Sequence, residues 1–175
     1  WYQQPIVGLD EDLPPADQRI APYRVIDPGT LTRRADPPLL VMASELGLSY
    51  VPNKQEAAIE IDFTLDEPGR YQISGIFMYG IIAGIYQAYL DGKRIGGPID
   101  FVIVNYSPGF ALLDTHDLEA GTHTLRFESV PGDPAVPLRQ LVPSFNGFHI
   151  VRLILLRLED MAGYHEVYNQ LVKPK

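Results

Sequence analysis

Alternation is the strongest regularity in the chain. In AAIEIDFTL, residues 57–65, Ala57, Ile59, Ile61, Phe63 and Leu65 fall on one side, and Ala58, Glu60, Asp62 and Thr64 on the other. A period of two with one apolar and one polar face predicts a half-buried strand. RYQISGIFMYG (70–80) places Tyr71, Ile73, Phe77 and Tyr79 on one side and Ile76 and Met78 on the other. That predicts a strand covered in part on both faces. Ile85–Leu90 predicts a third strand, and Asp91-Gly92 a two-residue type I′ turn that forces antiparallel return from Lys93. Gly96-Gly97-Pro98 predicts a bulge or a sheet edge in the returning strand, which IDFVIV (99–104) resumes.

Phe110–Asp114 is a short strand by the same reading. A turn at 118–121 leads into THTLRFESV (122–130), with Leu125 and Phe127 inward. FHIVRLILLRLED (148–160) is apolar on both sides: Phe148, Ile150, Ile154, Leu156 and Leu158 on one, Val151, Leu153 and Leu155 on the other. Its β-branched content predicts a central strand. PYRVI (22–26) and PLLVMAS (38–44) are further strand candidates. Eight or nine short strands with turn signals between them, and no room for helical crossovers, predict an all-β fold: an antiparallel β-sandwich, a jelly roll. The expected organisation is an extended proline-rich arm over 1–21, a sandwich over 22–160, and a short helix and tail over 161–175. The tail carries Met161, Tyr164, His165, Tyr168, Leu171 and Val172 at helical spacing. It is either a helix capping the sandwich or an interface helix for another domain or subunit.

Composition narrows the function. The chain has 175 residues, 46% of them apolar, enough for one sizeable core. Its net charge of −8 argues against nucleic acid and against anionic membrane surfaces. No apolar run is long enough to span a bilayer as a helix. With no cysteine, disulfides and thiolate metal sites are excluded. The chain opens on Trp1, which fits either a removed signal peptide or an excised domain.

Three segments in order carry a resemblance: Pro68-Gly69-Arg70-Tyr71, then GIYQAYLDGK (84–93) followed by Gly97-Pro98-Ile99-Asp100, then LEAGTHTL (118–125). Together they resemble the galactose-binding-like β-sandwich domains attached to bacterial glycoside hydrolases and related exported proteins. The likeness spans roughly 57–130. It implies a carbohydrate-binding-module-like sandwich and a non-catalytic carbohydrate-binding or accessory role. It also implies carbohydrate or a neighbouring catalytic domain as partner, and a periplasmic or extracellular location. Some such domains hold a structural calcium. Here Glu45 is the one counterpart of their N-terminal acid, and the last strand carries no acid before Glu159.

Two kinds of chemistry remain to be placed. Asp114, His116 and Asp117 in DTHD could set an imidazole beside a carboxylate for general-base or metal work. Asp100, Asp114 and Glu128 are acids of the type glycoside hydrolysis needs in pairs. The sequence carries no HExxH and no GxSxG elbow. The long segment 130–148 is the best host for a sugar, with Arg139, Gln140, Phe145, Asn146 and Phe148 supplying aromatic faces and hydrogen bonds. Tyr79 and Tyr106 stand at turns that would share its end of the sandwich. The leading reading is a non-catalytic carbohydrate-binding domain. The second is an assembly module acting through self-association or domain docking, and the third a hydrolase in its own right.

Overall fold

The computed structural model describes residues 23–38, 41–44, 46–52, 54–131 and 146–161. The arm expected over 1–21 and nearly all of the helix expected over 161–175 lie outside these residues. Within them, the last strand gives way to a 3-10 turn at Leu158–Asp160.

Among the described residues, eleven strands form two sheets. They are β1 (Tyr23–Ile26), β2 (Thr32–Asp36), β3 (Val41–Ser44), β4 (Gly47–Tyr50), β5 (Ala58–Leu65), β6 (Gly69–Tyr79), β7 (Ile85–Leu90), β8 (Lys93–Asp100), β9 (Ser107–Leu118), β10 (Gly121–Val130) and β11 (Phe148–Arg157). One sheet has the order β3-β4-β11-β6-β9, with β1 beside β4 along the same edge of β11; the other runs β2-β5-β10-β7-β8. All these strand pairs are antiparallel. The protein is an antiparallel β-sandwich, as the alternation predicts.

The inward faces follow the sequence closely. Ile59, Ile61, Phe63 and Leu65 of β5 and Leu125 and Phe127 of β10 are buried. Asp91 and Gly92 both take positive φ, 49° and 76°, the geometry of a type I′ turn. The β8 strand is a sheet edge and also bulged. Gly96, Gly97 and Pro98 stand opposite Gln87 alone, whose buried side-chain amide donates to the carbonyls of Ala88 (2.9 Å) and Ile95 (2.8 Å). The side chain thus supplies hydrogen bonds the interrupted ladder lacks.

The structure differs from expectation where the backbone breaks its own period. The β11 register shifts between Ile150 and Arg152. Phe148 and Ile150 face the core, but beyond the bulge Leu153 and Leu155 do, and Ile154 and Leu156 turn outward. A one-residue bulge exchanges the two faces of everything downstream. The segment 99–104 does not continue as a strand: β8 ends at Asp100, and Phe101 leaves the ladder to enter the core at 1% exposure. The β9 strand is longer than the Phe110–Asp114 expected. The polar TRRAD of β2 and the glycine-led GLSY of β4 escape a sequence reading, because neither carries a visible apolar alternation.

Gly47 has φ 108°, and a methyl group there would strike the carbonyl oxygen of Ile150 and lie 2.7 Å from Val151 Cα, at the β11 bulge. Gly92 also has positive φ but nothing within 4 Å of a methyl group. Gly47→Ala is therefore expected to cost about 3 kcal/mol, and Gly92→Ala about 1 kcal/mol, from left-handed backbone strain alone. Urea unfolding of the two variants checks the order; equal losses would contradict it.

Candidate functional site

The loops sort into two ends. The Asp91-Gly92 turn, the β9–β10 turn and the chain leaving β11 share one end. The β4–β5, β6–β7 and β8–β9 connections and the start of β11 share the other. Beneath that second end lies an aromatic cluster: Phe77 and Phe148 from one sheet, Phe127 and Tyr86 from the other, and Phe101 between them. Ring centroids are 4.6 Å apart for Phe127–Phe148, 4.9 Å for Phe77–Phe101 and 5.0 Å for Tyr86–Phe148.

The cluster ties down the loops above it. Tyr86 Oη donates to the Asn146 carbonyl. Burial pushes its phenol pKa well up, so it stays a donor. Gly84 N donates to Gly147 O, and Gly147 N to Ile82 O, both at 2.8 Å. Phe101 joins in through Gly80 N to Phe101 O (3.0 Å) and Phe101 N to Gly84 O (3.2 Å). The Asn146 side-chain amide donates to Gln55 O at 2.9 Å, and Ser129 Oγ donates to the same oxygen at 2.5 Å. Three connections and the start of β11 are thereby locked into one rim.

The predicted residues scatter across this rim in different roles. Tyr106 is 65% exposed, and the edge of its ring abuts Gly80, where a methyl group would meet Cδ2 at 2.5 Å. Tyr79 is half-buried; its ring covers Gly109 and meets Phe101 edge-on at 5.2 Å. Asn146 is a loop anchor through both its carbonyl and its side-chain amide. Phe148, at 3% exposure, is a wall of the aromatic cluster and presents no face to solvent. Arg139, Gln140, Phe145 and Glu45 lie outside the described residues. Exposed Ile81 and Ile82, next to Gly80, and Val104, two residues before Tyr106, lie in connections of the same rim.

A cleft of about 390 Å³, which the sequence does not signal, opens beside the Gln55 anchor. Asp36, Lys54, Glu56, Arg126, Glu128 and Ser129 supply its polar walls, with Pro37, Ala57 and Ala58 as its apolar part. Strand pairing creates it by aligning Asp36, Ala58 and Glu128 across β2, β5 and β10. Part of its wall belongs to an ion-pair lattice on the outer face of that sheet. Arg34 grips Asp62 (2.7 Å) and Glu60 (2.8 Å), while Arg126 joins Glu60 and Glu128, both at 2.8 Å. Hydrogen bonds from Arg34 hold the Glu60 and Asp62 carboxyls below their ordinary range.

The acids weighed for hydrolysis each have separate partners. Glu128 is bound by Arg126, Asp100 caps Val102 N (2.9 Å), and Asp114 accepts from Thr115 N (2.8 Å) and Gly96 N (3.2 Å). His116 Nε2 stands 3.2 Å from Asp114 Oδ2. His149 bridges Ser49 and the Leu46 carbonyl, and His165 lies outside the described residues. Among the described residues no three histidine or acidic side chains are grouped to hold a metal ion, and no helix is long and apolar enough to cross a membrane.

With this geometry in view, the comparisons are informative about fold. The chain superposes on Paenibacillus xanthan lyase with a TM-score of 0.53 at 13% identity, over 79% of this chain and 12% of the lyase. It superposes on a family 35 carbohydrate-binding module from Clostridium thermocellum with a TM-score of 0.50 at 13% identity, over 78% of this chain and 99% of the module. The fold is the carbohydrate-binding-module-like β-sandwich. The insecticidal crystal protein Cry2Aa also matches, with a TM-score of 0.51 at 11% identity over 78% of this chain and 22% of that one. The same scaffold therefore serves unlike proteins. No family model matches the chain, and no curated protein matches it in sequence.

At the opposite end, His123 clasps the two turns. Its Nδ1 meets Asp91 Oδ2 at 2.7 Å and its Nε2 the Glu119 carbonyl at 2.9 Å, while Asp91 Oδ1 accepts from Thr124 N at 2.8 Å. Partial burial lowers the imidazole pKa, but the bonds to Asp91 and Glu119 outweigh it, and the net shift is upward. With a folded pKa above the ordinary value of about 6.5, the clasp contributes fully below that pH and is lost as pH rises through the folded pKa. Thermal unfolding from pH 5 to 9 is expected to reveal this decline, and His123→Gln to flatten it. A His123→Gln profile parallel to wild type would contradict the assignment.

Proposed function

We propose that the chain is a non-catalytic carbohydrate-binding domain that meets its ligand at the loop rim. The observation that carries the reading is Tyr106. An exposed ring, its edge against Gly80 and its setting a rim of tied loops, offers a face on which sugar C–H groups can stack. The cleft beside Asn146 adds carboxylate, ammonium and hydroxyl groups suited to sugar hydroxyls. Arg139, Gln140 and Phe145, which precede Asn146 in sequence and lie outside the described residues, remain part of the proposed site, as does Tyr79 through its support of Gly109 and Phe101. Phe148 contributes as the packed wall below.

The likeness in fold to a whole carbohydrate-binding module supports this reading, and the separate engagement of Asp100, Asp114 and Glu128 favours binding over catalysis. The same reading makes the domain an accessory to a catalytic neighbour, exported to a periplasmic or extracellular setting where polysaccharides are met. A docking role is the second reading, favoured by exposed apolar residues on one outer sheet face.

Isothermal titration against a panel of oligosaccharides tests the proposal. Binding is expected for at least one, weakened about ten-fold or more by Tyr106→Ala, the loss of one stacking platform, and unaffected by Tyr23→Ala at the other end. A folded protein silent across the panel, or undiminished by Tyr106→Ala, would count against it.

A further inference from the structure

The tip of the rim is apolar and carries no charge. Gly80 to Ala83 form a turn closed by Ala83 N, which donates to Gly80 O at 3.1 Å. Its two corner positions hold Ile81 and Ile82, 40% and 43% exposed. Turn corners ordinarily take Gly, Pro, Asn, Asp or Ser, so two β-branched apolar residues there serve neither turn geometry nor solubility. Val104, 73% exposed, and Tyr106 stand on the neighbouring connection. The two connections are joined: Gly80 N donates to Phe101 O at 3.0 Å, and the edge of the Tyr106 ring abuts Gly80. In a chain of net charge −8, no Asp, Glu, Lys, Arg or His occurs over residues 71–90 or 101–113.

Hydrogen-bonding groups at the tip are largely engaged within the protein. Gly147 N donates to Ile82 O and Gly84 N to Gly147 O, both at 2.8 Å, and Phe101 N donates to Gly84 O at 3.2 Å. Val102 N is capped by Asp100 Oδ1 at 2.9 Å. Asn105 and the Tyr106 hydroxyl are the only polar side-chain groups in residues 80–84 and 101–106. A single sugar chain in water carries hydroxyls that a site must either satisfy or leave hydrated. A packed polysaccharide differs: its hydroxyls pair with neighbouring chains in the layer, and the layer presents its C–H face. An apolar, uncharged tip is complementary to that face.

We propose, resting on the carbohydrate-binding reading above, that Ile81, Ile82, Val104 and Tyr106 bind the C–H face of an insoluble, neutral, equatorially linked polysaccharide. The tip holds this solid more tightly than a soluble oligosaccharide of the same linkage. Tyr106 stacks on one sugar ring in either case, whereas the aliphatic residues gain their contact only where a second chain lies beside the first. With no charge at the tip, the attraction is hydrophobic and insensitive to salt. A lipid surface suits the tip less well. Apolar segments that enter a bilayer interface are typically flanked by Lys or Arg that reach the headgroups, and neither connection carries one.

Depletion by microcrystalline cellulose, chitin or insoluble mannan, set against titration with the soluble hexasaccharide of each, tests the preference. At least one solid is expected to bind about ten-fold more tightly than its soluble counterpart, with no loss on raising sodium chloride to about 0.5 M. Ile81→Ser and Val104→Ser together are expected to weaken the hold on the solid about ten-fold, and Val104→Ser alone about three-fold. Affinity for the soluble hexasaccharide stays unchanged in both variants, which also shows that they fold. Soluble binding with no preference for any solid overturns the proposal and leaves the carbohydrate-binding reading standing. So does a double variant that holds the solid as firmly as wild type, or a hold on the solid that salt abolishes. Silence toward solids and hexasaccharides alike overturns both. Sedimentation with phosphatidylcholine vesicles that the double variant loses assigns the tip to a lipid surface and overturns the proposal.

Discussion

Everything at the loop end depends on the packing of five rings. Phe77, Phe101, Phe127, Phe148 and Tyr86 come from both sheets and from one connecting segment, and they meet within 4.6 to 6.4 Å of one another where paired. Each buries a large apolar area, and each edge-to-face or tilted pair adds about 0.5–1.5 kcal/mol beyond it. Because Tyr86 also ends in a hydroxyl, the cluster reaches upward to hold Asn146. Because Phe101 belongs to a connection and not to a strand, it ties that connection to the core. The rim is rigid for a reason that lies below it, and a rigid rim is what allows Tyr106 to be both exposed and fixed. Preorganisation of this kind lowers the ordering cost of binding.

The scaffold divides its labour among surfaces. One end is clasped by His123 and Asp91 and serves strand register. The ion-pair lattice on one outer face satisfies itself and contributes modestly to stability, since exposed pairs are each worth about 0–1 kcal/mol. The outer face of the other sheet exposes Val25, Phe110 and Leu112. The proposed recognition falls to the rim and its adjoining cleft, where Asp36, Lys54 and Glu56 line open space. Fold alone does not lead there: a carbohydrate-binding module and an insecticidal crystal protein share this architecture, so the functional argument rests on side chains.

Much of the architecture is legible in the sequence because it is written in a period of two. The faces of β5 and β10, the Asp91-Gly92 turn and the edge at Gly96–Pro98 come directly from residue type and spacing. The failures share one physical origin. The β11 bulge, unlike the glycine-marked one in β8, inserts a residue without any compositional mark, so Ile154 and Leu156 read as core partners of Phe148 until the shift at Ile150–Arg152 reverses them. Phe101 reads as strand because an apolar residue entering a core from a connection looks the same as one in a ladder. For the site, the exposed turn at Tyr106 is legible from its flanking residues. Phe148 reads as a candidate ligand contact and the structure buries it at 3% exposure, because sequence cannot separate an aromatic that supports a surface from one that forms it. The cleft is invisible in the sequence, since its walls come from residues about 20 to 90 positions apart that only strand pairing brings together.

The central claim is that recognition happens at the rim and nowhere else on the described sandwich. Backbone amide shifts followed by NMR during titration with an oligosaccharide mixture test it most directly. The account predicts perturbations concentrated in residues 54–57, 80–84, 101–106 and 146–147, with the amides around Asp91, Glu119 and His123 unmoved. Shifts centred on that opposite end, or spread along the β5 and β10 outer face away from the cleft, would contradict it.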